Sequence, residues 1–239
     1  MAQEQITLYT SKVCPKCQRT EIALAEAGAP FKRCEISLLI KPEWFAPKVN
    51  RANQIPAITY GGPDVAPENP SPESTKLAES LILVEFIGDL YPSSGIVPAD
   101  PVLRAKARFF VEIVSTKFSP DFKRFVFGNP ETTHLALLAG VNAIQNILPD
   151  SGKYAVGDQY TFADISFTPL WARLIVLLQK GIGAYKDEER GSFWKAIEDP
   201  KYAKFNGYVQ RLLERQSFKS TFHEDIVVEK FTKKFGLAK

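Results

Sequence analysis

Histidine, cysteine and methionine are scarce in this chain of 239 residues, which holds two, three and one of them. His134 and His223 stand far apart in sequence. That excludes a histidine-rich metal site and leaves a histidine-dependent triad few candidates. Three cysteines are too few for a secreted disulfide scaffold and fit a reducing compartment, so a cytoplasmic location is expected. Charge of one sign is also missing. Thirty Lys and Arg against 27 Asp and Glu leave a net +3, evenly spread, which argues against nucleic acid as a partner. The strongly apolar stretch 169–178 is ten residues and contains Arg173, too short to span a bilayer, so no membrane association is expected. The opening MAQEQITLYT has no basic-then-apolar segment, so no signal peptide is expected. Hydrophobic residues at 45% and charged residues at 24% are ordinary for a globular protein and exclude a mostly disordered chain.

The first ninety or so residues alternate between strand and helix patterns. Ile6 to Thr10 alternates and is rich in β-formers, which predicts a strand. Pro15 suits a first helical turn, Gln18 to Ala27 is a run of helix formers, and Gly28 suits the residue that ends the helix. Cys34, Ile36 and Leu38 alternate and predict a second strand, parallel to the first across a right-handed crossover. Positions 41–49 read as a short helix or irregular loop. A third strand is expected over 55–60, an exposed Pro-rich loop over 61–75, a short fourth strand over 76–78, and a helix from Glu79-Ser80 with Leu83, Phe86, Ile87 and Leu90 on one face. This order is that of a thioredoxin-like domain, expected over residues 1–92. Beyond the linker-like YPSSGIVPAD, residues 93–239 read as an all-helical domain. Asp100-Pro101 predicts an N-cap with proline at N1, and further helices are expected at 131–148, 161–181 and 200–216. Thr161-Phe162-Ala163-Asp164 reads as a capping box with Asp164 in place of the usual Glu.

Cys14-Pro15-Lys16-Cys17 is the segment richest in chemistry. It follows a strand and opens a helix, where unpaired N–H groups and the helix dipole favour an anion. A thiol placed there ionises more readily and becomes a nucleophile, a role that falls to Cys14; Cys17, one turn on, could resolve a mixed disulfide. Two incidental cysteines or half of a zinc site are the competing readings, but zinc needs four ligands and only Cys34 and two distant histidines remain. Cys34 reads as a small buried hydrophobe. Ile55-Pro56 opens a strand and invites a cis bond, which would offer the Ile55 backbone to an extended peptide; a trans proline at a strand end is the plainer alternative. Ser80 at a helix start suits a carboxylate and Glu79 an ammonium, so the pair suits an α-amino-acid head group, unless Ser80 is simply a cap.

These residues together resemble the glutathione transferases, and most of all the omega class with its fungal members. The likeness is carried by Cys14-Pro15 after a strand, Lys41-Pro42-Glu43-Trp44, Ile55-Pro56, Glu79-Ser80 and Thr161-Phe162-Ala163-Asp164, in the family's order and spacing. The resemblance implies a glutathione-dependent thiol transferase or reductase acting through a mixed disulfide between Cys14 and glutathione, its co-substrate, with no metal. Lys41 would pair with the glycine carboxylate of glutathione, Ile55 with its cysteinyl backbone beside a cis Pro56, and Glu79 and Ser80 with its γ-glutamyl head. It also implies a homodimer, and a crevice between the domains for a hydrophobic or glutathionylated second substrate. Phe118, Phe122, Phe125, Trp171 and Arg173 are candidates to line that crevice, or else belong to the core. A low-turnover binding protein for aromatic metabolites on the same fold is the alternative. The chain departs from the omega pattern at Lys16 and Cys17, which restore a dithiol CPxC motif, and in its long loop over 61–75.

Overall fold

The computed structural model describes residues 4–128 and 131–236 and divides into two units after Val97. In the first unit, β1 (Ile6–Thr10) is buried along its whole length, as a strand covered on both faces must be. It leads into α1 (Pro15–Ala27), then β2 (Lys32–Glu35), α2 (Phe45–Lys48), β3 (Ala57–Tyr60), β4 (Thr75–Ala78) and α3 (Ser80–Leu90). The sheet order is β2-β1-β3-β4. β2 runs parallel to β1, and β3 and β4 are antiparallel additions. This is the thioredoxin-like arrangement. α1 and α3 pack against each other.

The ends of α1 follow from its sequence. Cys14 is the N-cap in extended conformation, its carbonyl takes the Gln18 N–H at 3.1 Å, and Pro15 supplies the first turn. At the far end Gly28 adopts φ +60°, and the Gly28 and Ala29 N–H groups close onto Ala25 and Leu24 carbonyls. β2 is shorter than expected. Ile36 still donates to Thr10 O at 2.8 Å, but Ser37 Oγ then accepts from Leu39 and Ile40 N–H at 3.2 Å each and turns the chain out of the sheet. Leu38 therefore lies outside the strand. The Pro-rich loop is tied down by Tyr9, whose hydroxyl donates to Pro67 O at 2.7 Å, by Gln5 on Pro63 O at 2.8 Å, by Lys48 on Asn69 at 2.6 Å and by a Lys32–Asp64 ion pair.

The second unit holds α4 (Pro101–Ile113), α5 (Ser119–Lys123), α6 (His134–Gln145), α7 (Phe162–Gln179), α8 (Asp187–Ile197), α9 (Ala203–Glu214), α10 (Gln216–Lys219) and α11 (Glu224–Lys234). Asp100 caps α4 by accepting the Leu103 N–H at 2.7 Å. Beyond α4 the backbone loosens into two wide π-type turns, Val114–Phe118 and Arg124–Gly128, on either side of α5 and its Pro120. Gly140 on α6 lies against this turn so closely that an added Cβ would sit 2.9 Å from Lys117 O. α8 and α11 escaped the periodicity argument because each buries almost nothing: Phe193 and Ile197 in one, Val227 in the other. α7 is longer than the apolar run in the sequence suggests. By length and composition its 18 residues suffice to cross a membrane, yet 89% of that window is buried within the protein.

α7 starts with the expected capping box. Thr161 Oγ1 accepts the Ala163 N–H at 3.3 Å, and the Asp164 carboxylate accepts Thr161 N–H and Ala155 N–H at 2.9 Å and the Tyr208 hydroxyl at 3.0 Å. Burial pushes the Asp164 carboxyl up to about 6 against the pull of these donors. A carboxyl held above its unfolded value stabilises the fold in its protonated form, and that contribution is lost as pH rises from about 4 to about 6. The gap from the ordinary 3.8 corresponds to about 3 kcal/mol. In urea unfolding, the margin of wild type over Asp164→Asn should shrink across that window by up to this amount. A margin that widens with pH would mean the donors outweigh burial.

Candidate active site

The first unit gathers the thiol segment, the cis proline and the start of α3 around one apolar cluster. Tyr9, Cys17, Ile36, Phe45, Val49, Ile55 and Ala57 form its buried part, with Cys14, Cys34, Trp44 and Ala78 packed on the edge. Trp44 of the Lys-Pro-Glu-Trp stretch stands 6.2 Å from the Tyr9 ring and 6.1 Å from Phe45, so it serves as a wall of this cluster. The Ile55–Pro56 bond is cis.

All three cysteines are free thiols. Cys14 is partly exposed and Cys17 has no accessible surface. The Cys17 thiol is hydrogen-bonded to the Cys14 and Thr10 side chains and to the Ser11 backbone. Burial pushes it far above its ordinary value, and the neighbouring Cys14 sulfur pushes the same way. One turn of helix thus holds two thiols in opposite environments.

Arg19 is the residue that the sequence did not single out. A single arginine in a helix reads as solvent-facing, but α1 is buried from Cys17 through Leu24, so the polar run Gln18–Glu21 lies inside. Arg19 Nη1 donates to Ser80 Oγ at 3.4 Å. Burial pulls its guanidinium down to about 10, and the charge of Cys14 draws it back up. Arg19 therefore remains a cation at neutral pH, linking the thiol at the start of α1 to the hydroxyl at the start of α3.

Lys41 Nζ donates to Asn53 O at 2.6 Å, which fixes the ammonium at the turn that leads into Ile55. Asn53 and Glu79, with φ of +53° and +71°, are the two non-glycine residues in the left-handed region among the described residues. Such conformations cost of order 1–3 kcal/mol each and persist where the surroundings impose them. Glu79 is exposed, and Ser80 is 4% exposed at the first turn of α3. The site therefore offers a partly exposed sulfur, two fixed cations, a carboxylate and a hydroxyl. That set complements a small peptide bearing sulfur, carboxylates and an ammonium.

The second unit holds the five crevice candidates inside its own packing. Phe118, Phe122, Phe125, Trp171 and Arg173 are all 3% exposed or less. Phe118 meets Phe167 at 5.0 Å, Phe125 stacks on Tyr185 at 5.0 Å, and Trp171 meets Phe205 edge-on at 4.9 Å. Arg173 donates to Pro169 O at 3.1 Å and lies 5.5 Å from the centre of the Phe222 ring. Among the described residues, no group of three or more His, Cys, Asp or Glu side chains is placed to hold a metal ion.

Residues 8–95 match the family model described as "Glutathione S-transferase, N-terminal domain". The chain is 48% identical to glutathione transferase Omega 1C from Trametes versicolor, with a TM-score of 0.92 over 98% of this chain and 97% of that one. It is 37% identical to Omega 2S from the same fungus, solved in complex with 2,4-dihydroxybenzophenone, with a TM-score of 0.87 over 96% of each chain. Over 122 residues it is 31% identical to glutathione S-transferase omega-1 of Mus musculus, which spans 51% of this chain and 45% of that protein.

The Arg19 cation can be tested on the thiol directly. Arg19→Gln should slow iodoacetamide alkylation of Cys14 at neutral pH about tenfold, the ratio for one pH unit of ionisation. An unchanged rate would show that the guanidinium does not act on the sulfur.

Proposed function

The chain belongs to the glutathione transferase family, in its omega class, and is a glutathione-dependent thiol transferase; on that footing we propose that its chemistry runs through Cys14. The carrying observation is the placement of Cys14 at the N-cap of α1, partly exposed, beside the buried Arg19 cation and the Cys17 thiol. Each of these neighbours favours a negative sulfur over a neutral one.

The Cys14 thiolate attacks the glutathione sulfur of a mixed disulfide. A bond forms between Cys14 Sγ and that sulfur, the original S–S bond breaks, and the acceptor leaves as a thiolate that takes a proton from solvent. A second glutathione thiolate then attacks the glutathione sulfur held on Cys14, giving glutathione disulfide and restoring Cys14. A glutathionylated ketone is handled in the same way, with the carbon leaving group protonated by water. Reduction of dehydroascorbate fits the same thiol cycle. Lys41 holds the glycine carboxylate, the Ile55 backbone and cis Pro56 the cysteinyl portion, and Glu79 and Ser80 the γ-glutamyl head. Free thiols agree with a reducing, cytoplasmic setting, and family membership supports a homodimer.

A low-turnover carrier of aromatic metabolites is the second reading, favoured by the benzophenone bound to the Omega 2S relative. Tight fluorescence-detected binding of a hydroxybenzophenone with negligible turnover of mixed disulfides would decide for it.

Cys14→Ser should reduce thiol transfer to background, while Cys17→Ser keeps at least part of it. Full activity in Cys14→Ser would remove the assignment of the nucleophile. Lys41→Ala should raise the KM for glutathione about tenfold, the worth of one charge-assisted hydrogen bond, with little change in kcat.

A further inference from the structure

The Pro-rich loop between β3 and β4, where the chain departs from the omega pattern, builds a groove of its own. Tyr9 on Pro67 O and Lys48 on Asn69 tie the loop back onto the sheet and α2. Between α2, the loop and β4 an open groove of about 350 Å³ remains, wholly within the first unit. Its apolar lining includes Pro47, Val49, Pro70 and Pro72, and its charged lining is Lys48, Arg51 and Lys76. Lys48 Nζ donates to Asn69 Oδ1 at 2.6 Å and Lys76 Nζ to Ser71 O at 3.3 Å. Both acceptors are neutral and both belong to the loop, so the two ammoniums are held at the groove with their charge uncompensated. Among the described residues, none of the three cations makes an ion pair. Glu68 and Glu73 of the same loop are exposed and lie outside the lining.

Three like charges around one groove repel each other, and an anion that enters relieves the repulsion. The form of the groove decides which anion. Pro47, Lys48, Arg51, Pro72 and Lys76 are exposed, so an occupant is covered on one side only. A small ligand is buried over most of its surface in its site, whereas an extended segment can lie along an open groove. The three prolines bring no N–H groups, and the Lys48 and Val49 N–H groups are spent on the Trp44 and Phe45 carbonyls. Recognition is thereby left to the charged side chains, which select carboxylates. Val49 also joins this groove to the thiol site: it is 6% exposed, lines the groove and belongs to the apolar cluster on whose edge Cys14 is packed.

We propose that this groove docks an acidic, extended segment of a glutathionylated protein and so presents its mixed disulfide to Cys14. The inference rests on the reading of Cys14 as the thiol that takes up glutathione, and adds a substrate class to it. Protein acceptors with Asp or Glu near the modified cysteine are favoured through KM, and small disulfides are indifferent to the groove. The covalent step is unchanged. A bond forms between Cys14 Sγ and the glutathione sulfur, the bond to the acceptor sulfur breaks, and the acceptor leaves as a thiolate that takes a proton from solvent.

The test measures steady-state turnover of peptides glutathionylated on a single cysteine, with a run of Glu or of Gln before or after it, beside the mixed disulfide of glutathione and mercaptoethanol. It compares wild type with Arg51→Glu/Lys76→Glu and with Lys180→Glu/Lys195→Glu, a control of the same net charge in the second unit. In wild type a Glu peptide should show a KM about three- to tenfold below its Gln counterpart, a gap that closes as salt rises from about 20 mM to about 0.5 M. Arg51→Glu/Lys76→Glu should abolish the gap with kcat and small-disulfide turnover unchanged, and the control should keep it. Arg51→Glu alone should narrow the gap, and serves where the double variant does not fold. Equal KM values for Glu and Gln peptides in wild type overturn the proposal, as does an equal loss in the control. Turnover of the small disulfide with neither peptide accepted does the same. So does a groove variant that loses both peptides alike and changes its mass in solution, which would mean that a second copy of the chain covers the groove. A wild type that turns over none of these disulfides removes the reading of Cys14 instead. Docking is then read from the fluorescence anisotropy of a labelled, cysteine-free Glu peptide: salt-sensitive binding that the double variant loses sustains the groove, and no binding overturns it.

Discussion

A guanidinium taken out of water must be surrounded by polar partners or it destabilises the fold that holds it. Arg19 meets that requirement by reaching Ser80 at one side while standing in the field of Cys14 at the other. Its position therefore links the start of α1 to the start of α3, and the two helices pack against each other around it. The same cation that favours a negative sulfur also holds the helix start where an amino-acid head group is expected to bind. Chemistry and recognition are fixed to one rigid element.

Two thiols separated by one helical turn would ordinarily compete. Here the packing divides them. Cys14 takes the cap position, where solvent reaches it, and Cys17 points inward against Tyr9, Ile55 and Thr10. The difference is one of surroundings and not of residue type, which is why a CPxC motif alone does not reveal whether one thiol or two take part. The division also depends on the sheet, because β1 supplies Tyr9 and Thr10.

The parts of this fold that sequence reasoning reached are those with local causes. Pro15 and Gly28 bound α1, Asp100 and Pro101 start α4, and Thr161 with Asp164 starts α7, because each involves groups only a few residues apart. What escaped it depends on distant partners. Ser37 ends β2 against an alternating pattern that runs on to Leu38. α8 and α11 show too few buried positions to leave a helical stripe. Arg19 and Glu21 look like the polar face of a helix until the sheet and α3 cover them. Phe118 and Trp171 look equally suited to a ligand or to a core, and their contacts with Phe167 and Phe205 come from residues far along the chain or on another helix. Periodicity records that a residue is buried, but not what it is buried against.

The choice of cysteine at the start of α1 also limits the enzyme. A tyrosine or serine hydroxyl in that place would donate to the glutathione sulfur and so help generate the nucleophile for conjugation. A thiolate cannot donate, and its charge repels a second thiolate beside it. In the chemistry proposed for Cys14, the field that Arg19 and the helix dipole create is spent on the protein's own sulfur, and glutathione becomes the group that Cys14 attacks or carries. Conjugation of glutathione to aryl halides should be weak for the same physical reason that thiol exchange is favoured. The two activities compete for one region of positive potential, and the residue at position 14 decides which sulfur occupies it.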